Sequence, residues 1–248
     1  MTNFFKSLPT PQTPSIGILG WEAGDKITLA QLEQIPGNIA HPDTFDFPVV
    51  YQRVKGACYE TIVEHPSKEV LSNMIEVASE MEKNGIKAIM GNCGFNALFQ
   101  KELADAVNIP LFSSSLLQVP MVFRMLKSTQ KVGILTADKE HLTKKHFESV
   151  GITDDHMYCV AGIEKTGEFS KIRSDPHAQL NVDKFAEEVI DVTQQLMSAN
   201  PSIGAIVLEC TDLPPFASAI RQLTKLPVFD IVTLAHYVYE SLAGNRWK

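Results

Sequence analysis

From residue 16 onward, short apolar runs alternate with longer segments whose apolar residues recur every three or four positions. The runs fall at residues 16–20, 47–52, 86–92, 109–113, 131–136, 156–160, 203–209 and 227–231. Most are apolar throughout, as strands buried on both faces of a parallel sheet should be. Between them lie helical periods. Ser67 is placed to cap a helix in which Val70, Leu71, Met74, Val77, Ala78 and Met81 form one stripe, with Gly85 just beyond its end. A second stripe runs through Val182, Phe185, Ala186, Val189, Ile190, Leu196 and Met197, with Thr193 as its one polar member. Strands that alternate with helices predict an α/β fold with parallel sheets.

The pattern also repeats. Residues 86–93 read IKAIMGNC and residues 203–210 read IGAIVLEC. Set in register at an offset of 117, residues 86–112 and 203–229 share seven identities. These are Ile86/Ile203, Ala88/Ala205, Ile89/Ile206, Cys93/Cys210, Phe99/Phe216, Pro110/Pro227 and Phe112/Phe229. Upstream, IGIL at 16–19 matches VGIL at 132–135. Shared apolar composition does not account for cysteine meeting cysteine and proline meeting proline in one register. The expectation is two pseudo-symmetric lobes related by duplication, each a parallel, flavodoxin-like sheet flanked by helices. Residues 1–15 would form an irregular arm, 16–128 the first lobe and 129–231 the second, with a final helix at 232–245 packing back on the first.

Composition narrows the function. A formal charge of −7 disfavours a broad surface for nucleic acid. No apolar run approaches the roughly 20 residues that span a bilayer, so no membrane partner is expected. The start, MTNFFKSLPTPQTPS, does not read as a signal peptide. Four cysteines without metal-like spacing suggest free thiols in a reducing, cytoplasmic setting. The seven histidines show no HxxxH or HExxH spacing, and neither GxGxxG nor GxxxxGK occurs, so neither a metal site nor a dinucleotide or P-loop nucleotide site is expected.

Cys93 and Cys210 each end a predicted strand directly before a predicted helix, the sheet edge where open α/β folds bind ligands. An adjoining helix N-terminus favours the thiolate. Were the lobes to face each other, the two thiols would enter one cleft from opposite sides. Inversion of a carbon acid needs that arrangement: one thiolate removes a proton while the facing thiol delivers one to the other face.

Two such lobes, with a cysteine after a strand in each half, resemble the aspartate/glutamate racemase superfamily, including its hydantoin racemase branch. The most specific match is AIVLECTDLPPF, where Cys210-Thr211 is similar to the Cys-Thr of the family's second half. The resemblance implies a cofactor-independent isomerase with Cys93 and Cys210 as its acid/base pair, acting beside the carboxylate of an amino acid or a derivative. Relatives of this fold often pair, so a homodimer is an expectation as well. The chain departs from the family pattern in three places. Cys93-Gly94-Phe95 replaces Cys-Asn-Thr, Asp212 stands where glutamate racemases carry histidine, and Trp21-Glu22 replaces an Asp-Ser pair. Two alternatives stay open: a cis–trans isomerase of unsaturated diacids that adds a cysteine covalently, and a two-lobed binding protein without turnover.

Further candidates for holding a small carboxylate substrate surround the cysteines. Asn92, Gly94 and Phe95 flank Cys93, and Thr211 adjoins Cys210. Arg53 follows the second strand and suits a bidentate grip on a carboxylate. Ser114, in the serine run after IPLF, and Thr136, at the end of VGIL, complete the set. Glu209 and Asp212 are expected to orient the site or face solvent, since acids beside a thiol raise its pKa. Cys58 and Cys159, which have no matched partner, are expected as small buried hydrophobes.

Overall fold

The computed structural model describes residues 15–22 and 27–243. Of the expected arm only Ser15 is among them, as are all but the last two residues of the expected final helix. The first lobe contains β1 (Ile16–Trp21), β2 (Val49–Val54), α1 (Lys68–Lys83), β3 (Ala88–Gly91), α2 (Gln100–Asp105), β4 (Leu111–Phe112) and α3 (Val119–Arg124). The second contains β5 (Lys131–Thr136), α4 (Lys144–Ser149), β6 (Tyr158–Gly162), α5 (Gly167–Ser174), α6 (Val182–Ala199), β7 (Ile203–Leu208), α7 (Ala217–Thr224) and β8 (Val228–Phe229), before α8 (Ile231–Leu242). Each lobe holds a four-stranded parallel sheet, ordered β2-β1-β3-β4 in one and β6-β5-β7-β8 in the other.

The duplication is visible bond by bond. The Asn92 amide donates to the Leu19 carbonyl at 3.1 Å, and in the other half the Glu209 amide donates to Leu135 at 2.7 Å. The Ile89 amide reaches Pro110, and the Ile206 amide reaches Pro227, both at 2.9 Å. Each cysteine therefore leaves its sheet at the same point.

Local chemistry sets the element ends. Ser67 accepts from the Val70 amide to start α1, and Gly85 follows its end at φ +90°, a conformation that a Cβ disfavours. α1 buries Val70, Met74, Ala78 and Met81. Each of the three larger side chains stabilises the packing by about 1.5–3 kcal/mol. On α6, Thr193 satisfies its buried hydroxyl by donating to the Val189 carbonyl at 2.8 Å. The edge strands β4 and β8 are shorter than their apolar runs. Beyond β8, Asp230 turns away to cap α8, accepting from the Thr233 amide at 2.7 Å while the Thr233 hydroxyl accepts from the Asp230 amide.

α8 returns to the first lobe. Its Ile231, Leu234, Ala235 and Val238 pack with Ile16, Ile18, Ala88 and Met90, and Tyr239 stacks on Phe47 at 4.1 Å. A larger apolar core runs without interruption from one lobe into the other. Residues 27–46 had no element assigned from the sequence. They form a short 3-10 helix at Ile27–Gln34 and a series of turns. This strap bonds to the second lobe: Gln31 donates to the Ala178 carbonyl and accepts from the Leu180 amide, both at 2.9 Å.

Candidate active site

In both sheets the strand order reverses between the first and third strands of the lobe, which opens a crevice at their C-terminal ends. Cys93 and Cys210 stand at these two crevices, and the crevices meet in one cavity of about 270 Å³. Both thiols are buried. The amides of Phe95 and Asn96 point at the Cys93 sulfur, and the Asp212 amide points at Cys210. Burial pushes both thiols well above their ordinary range, and the neighbouring carboxyls of Glu209 and Asp212 push the same way. Both groups therefore favour the thiol form, and forming a thiolate here requires a neighbouring base to take the proton.

Asp212 is placed to take that proton. The Cys210 thiol donates to Asp212 Oδ2 at 3.9 Å, and Asn38 Nδ2 fixes the other carboxyl oxygen at 2.7 Å. Burial raises Asp212 to about 6, which leaves it ionised at neutral pH but basic enough to accept a proton.

Glu209 lies between the cysteine loops with none of its surface exposed. Thr136 donates to its Oε2 at 2.7 Å, while Oε1 has no partner among the described residues. Oε1 packs against Gly94, where an added Cβ would lie 2.2 Å from it and 2.3 Å from the Glu209 carbonyl oxygen. Only glycine fits beside Cys93, which explains the Cys-Gly departure physically. Burial lifts Glu209 to about 8, so it is mostly protonated at pH 7. Two further bonds tie the loops: the Thr211 hydroxyl donates to the Asn92 carbonyl at 2.8 Å, and Ser115 donates to Leu208 at 2.7 Å.

Acidic and aromatic groups dominate the remaining wall: Trp21, Glu22, Glu33, Tyr59, Glu60 and Phe169. Arg53 is its only basic residue among the described residues, and its guanidinium is engaged. It meets Glu33 at 2.8 Å and donates to the Trp21 carbonyl at 2.6 Å. Tyr51 donates to Glu33 at 3.2 Å and accepts from Asn92 Nδ2 at 2.9 Å, which links this ion pair to the residue before Cys93. Tyr59 crosses to the second lobe, donating to Asp138 at 2.7 Å and accepting from Arg173 at 2.7 Å. Burial opposes the charge on Asp138, but hydrogen bonds from Tyr59 and His141 outweigh it and hold the carboxyl below its usual range.

The cavity thus gathers Cys93, Cys210, Asn92, Gly94, Phe95, Arg53 and Thr211. It does not gather Ser114, whose hydroxyl caps the Ser115–Gln118 turn by accepting from the Leu116 amide, nor Thr136, which stands behind Glu209. Two other sequence expectations are corrected. Of the two roles expected for Glu209, orienting the site or facing solvent, the second is excluded, because its carboxyl is walled in by Gly94 and Thr136. Cys58 and Cys159 are half-buried, and Cys58 lines the cavity. Sequence reading missed Glu33, Asn38, Tyr51, Tyr59 and Phe169, all remote from the cysteines along the chain. The YQR run preceding the first lobe's cysteine by some forty residues was the one available signal for Tyr51.

The profile of the Asp/Glu/hydantoin racemase family matches residues 16–236. The chain belongs to this family. Members are enzymes, and this site has the family's two-lobed form. Among curated relatives, a dimethylsulfoniopropionate lyase from Durusdinium sp. clade D is 29% identical over 217 residues, 85% of this chain and 71% of the lyase. Dimethylsulfoniopropionate lyase 3 from Emiliania huxleyi (strain CCMP1516) is 28% identical over 219 residues, and this chain spans only 56% of its length. Arylmalonate decarboxylase, in a glycine-to-cysteine mutant, shares the fold with a TM-score of 0.59 at 18% identity, covering 95% of each chain. Among the described residues no helix is long and apolar enough to cross a membrane.

Proposed function

We propose that this enzyme is a carbon-acid lyase. It removes a proton from the carbon beside a carboxylate and expels a neutral sulfide from the next carbon, with dimethylsulfoniopropionate as the model substrate. The observation that carries this reading is a thiol–carboxylate pair, Cys210 and Asp212, in a cavity whose only basic residue among the described residues is engaged by Glu33. A wall of acids and aromatic rings favours a cationic head group. Names of the curated relatives support the same reaction class.

In this reaction Cys210 passes its proton to Asp212 and the thiolate takes the α-proton. As the C–H electron pair becomes the C=C bond, the C–S bond breaks and its electrons leave with the sulfide. The products are a propenoate and dimethyl sulfide, and no other reactant is needed. Removal of positive charge from the sulfur favours departure from an apolar, partly desolvated site.

A second reading is favoured by one specific feature, the thiol that each lobe supplies at a matched position. Cys93 facing Cys210 suits racemisation, in which the second thiol protonates the opposite face of an amino acid or derivative. Proton NMR in heavy water separates the two. With dimethylsulfoniopropionate, elimination predicts new vinyl signals, abolished in Cys210→Ser and retained in part in Cys93→Ser. With single enantiomers of amino acids and hydantoins, racemisation predicts loss of the α-proton signal, abolished by either substitution. Vinyl signals absent at millimolar enzyme and substrate would discard the lyase reading.

A further inference from the structure

We infer that Glu209 is a positioning residue that serves both cysteines as a neutral acid: it joins their loops across the lobe interface and keeps a negative charge away from the two sulfurs. Its place supports this role. It directly precedes Cys210, and its carboxyl packs on Gly94, directly after Cys93. Thr136 donates to Oε2, so the acid proton belongs on Oε1, the oxygen without an acceptor among the described residues. Its backbone is held as well. The Glu209 amide donates to Leu135, and its carbonyl accepts from Ser115 at 3.3 Å.

The charged and titratable groups that act on Glu209 and the sulfurs are few. Asp138, just beyond β5, adds to the retention of the proton on Glu209. Cys93 faces it from the first lobe, and Cys210 and Asp212 share its own loop. An ionised Glu209 would place a second carboxylate, beside Asp212, within reach of both thiols and oppose each thiolate. As the neutral acid it packs the interface at no such cost. In the pseudo-symmetric half the equivalent position is Asn92, which is neutral at every pH.

The test needs no substrate and is independent of whether the reaction is elimination or racemisation. Wild type, Glu209→Gln and Thr136→Val are labelled with iodoacetamide from pH 6 to 10, and the rates at Cys93 and Cys210 are read by peptide mass spectrometry. Glutamine keeps the neutral shape at all pH values. Its labelling curve should therefore superimpose on the wild type at pH 6 to 7, where both hold a neutral group, and lie about one unit lower in pH above pH 8, where Glu209 ionises. Valine at 136 removes a hydrogen bond that favours the ionised carboxyl and should shift the curve the same way by a smaller amount. Should Glu209→Gln fail to fold, Thr136→Val decides alone. Curves that superimpose on the wild type through pH 10, or a Glu209→Gln that labels faster already at pH 6, overturn the inference.

Discussion

A buried acid kept neutral leaves a mark on stability, and Glu209→Gln measures it. The carboxyl ionises near 4.5 in the unfolded chain and near 8 in the fold. Below the lower value both states hold the proton, and Glu209 has no effect. As pH rises, the unfolded state gives up its proton while the fold retains it, so stability falls by about 1.4 kcal/mol per pH unit until the folded group ionises. Over pH 6 to 8 the loss comes to about 2 kcal/mol. Other buried groups titrate nearby. Asp212, raised to about 6, acts mainly below this window, and His146, lowered to about 4 by burial, acts in the opposite sense by resisting protonation. Both are present in wild type and variant, so they cancel in the comparison. Urea unfolding at pH 6 and pH 8 supplies the four free energies needed. Relative to wild type, Glu209→Gln should gain about 2 kcal/mol on going from pH 6 to pH 8. An unchanged difference between the proteins at the two pH values would refute the neutral-acid assignment.

Other substitutions probe the remaining contacts. Gly94→Ala drives a Cβ into both the carboxyl and the carbonyl oxygen of Glu209; it should lower stability by about 3 kcal/mol, and calorimetry showing a loss below about 0.5 kcal/mol would contradict the packing. Asp212→Asn removes the acceptor for the Cys210 proton and should lower kcat for elimination about 100-fold or more, read as dimethyl sulfide released; a rate near wild type would exclude Asp212 as the base. Ser114→Ala removes a cap outside the cavity and should cost about 1 kcal/mol of stability while leaving KM for the same substrate unchanged, whereas a raised KM would return Ser114 to the binding site.

Much of the scaffold was legible because periodicity reports burial directly. All eight strands among the described residues overlap the runs read from the sequence, and both long helices follow their stripes. The cysteine positions were legible for another reason: duplication placed them in one register, so neither needed a structural guess. What stayed hidden depends on contacts distant in sequence. Asn38 meets Asp212 across 174 positions, and Tyr59 meets Asp138 across 79. The strap at residues 27–46 has no regular apolar period, because turns and bonds to the second lobe shape it. Arg53 illustrates the same limit. Its place at the sheet edge was readable, but its pairing with Glu33 belongs to that strap. Glu209 was read as a polar neighbour of a thiol, and nothing local to LECTD announces that Gly94 seals it from water.

In the proposed mechanism a cysteine in this cavity takes a proton from the carbon beside a carboxylate. Deuterium incorporation at that carbon, or its loss through elimination, should be followed for dimethylsulfoniopropionate and the amino-acid panel with wild type, Cys93→Ser and Cys210→Ser. Proton removal is expected from the wild type with at least one compound, and none from Cys210→Ser. Proton removal that persists at the wild-type rate when both cysteines are replaced together would contradict this mechanism.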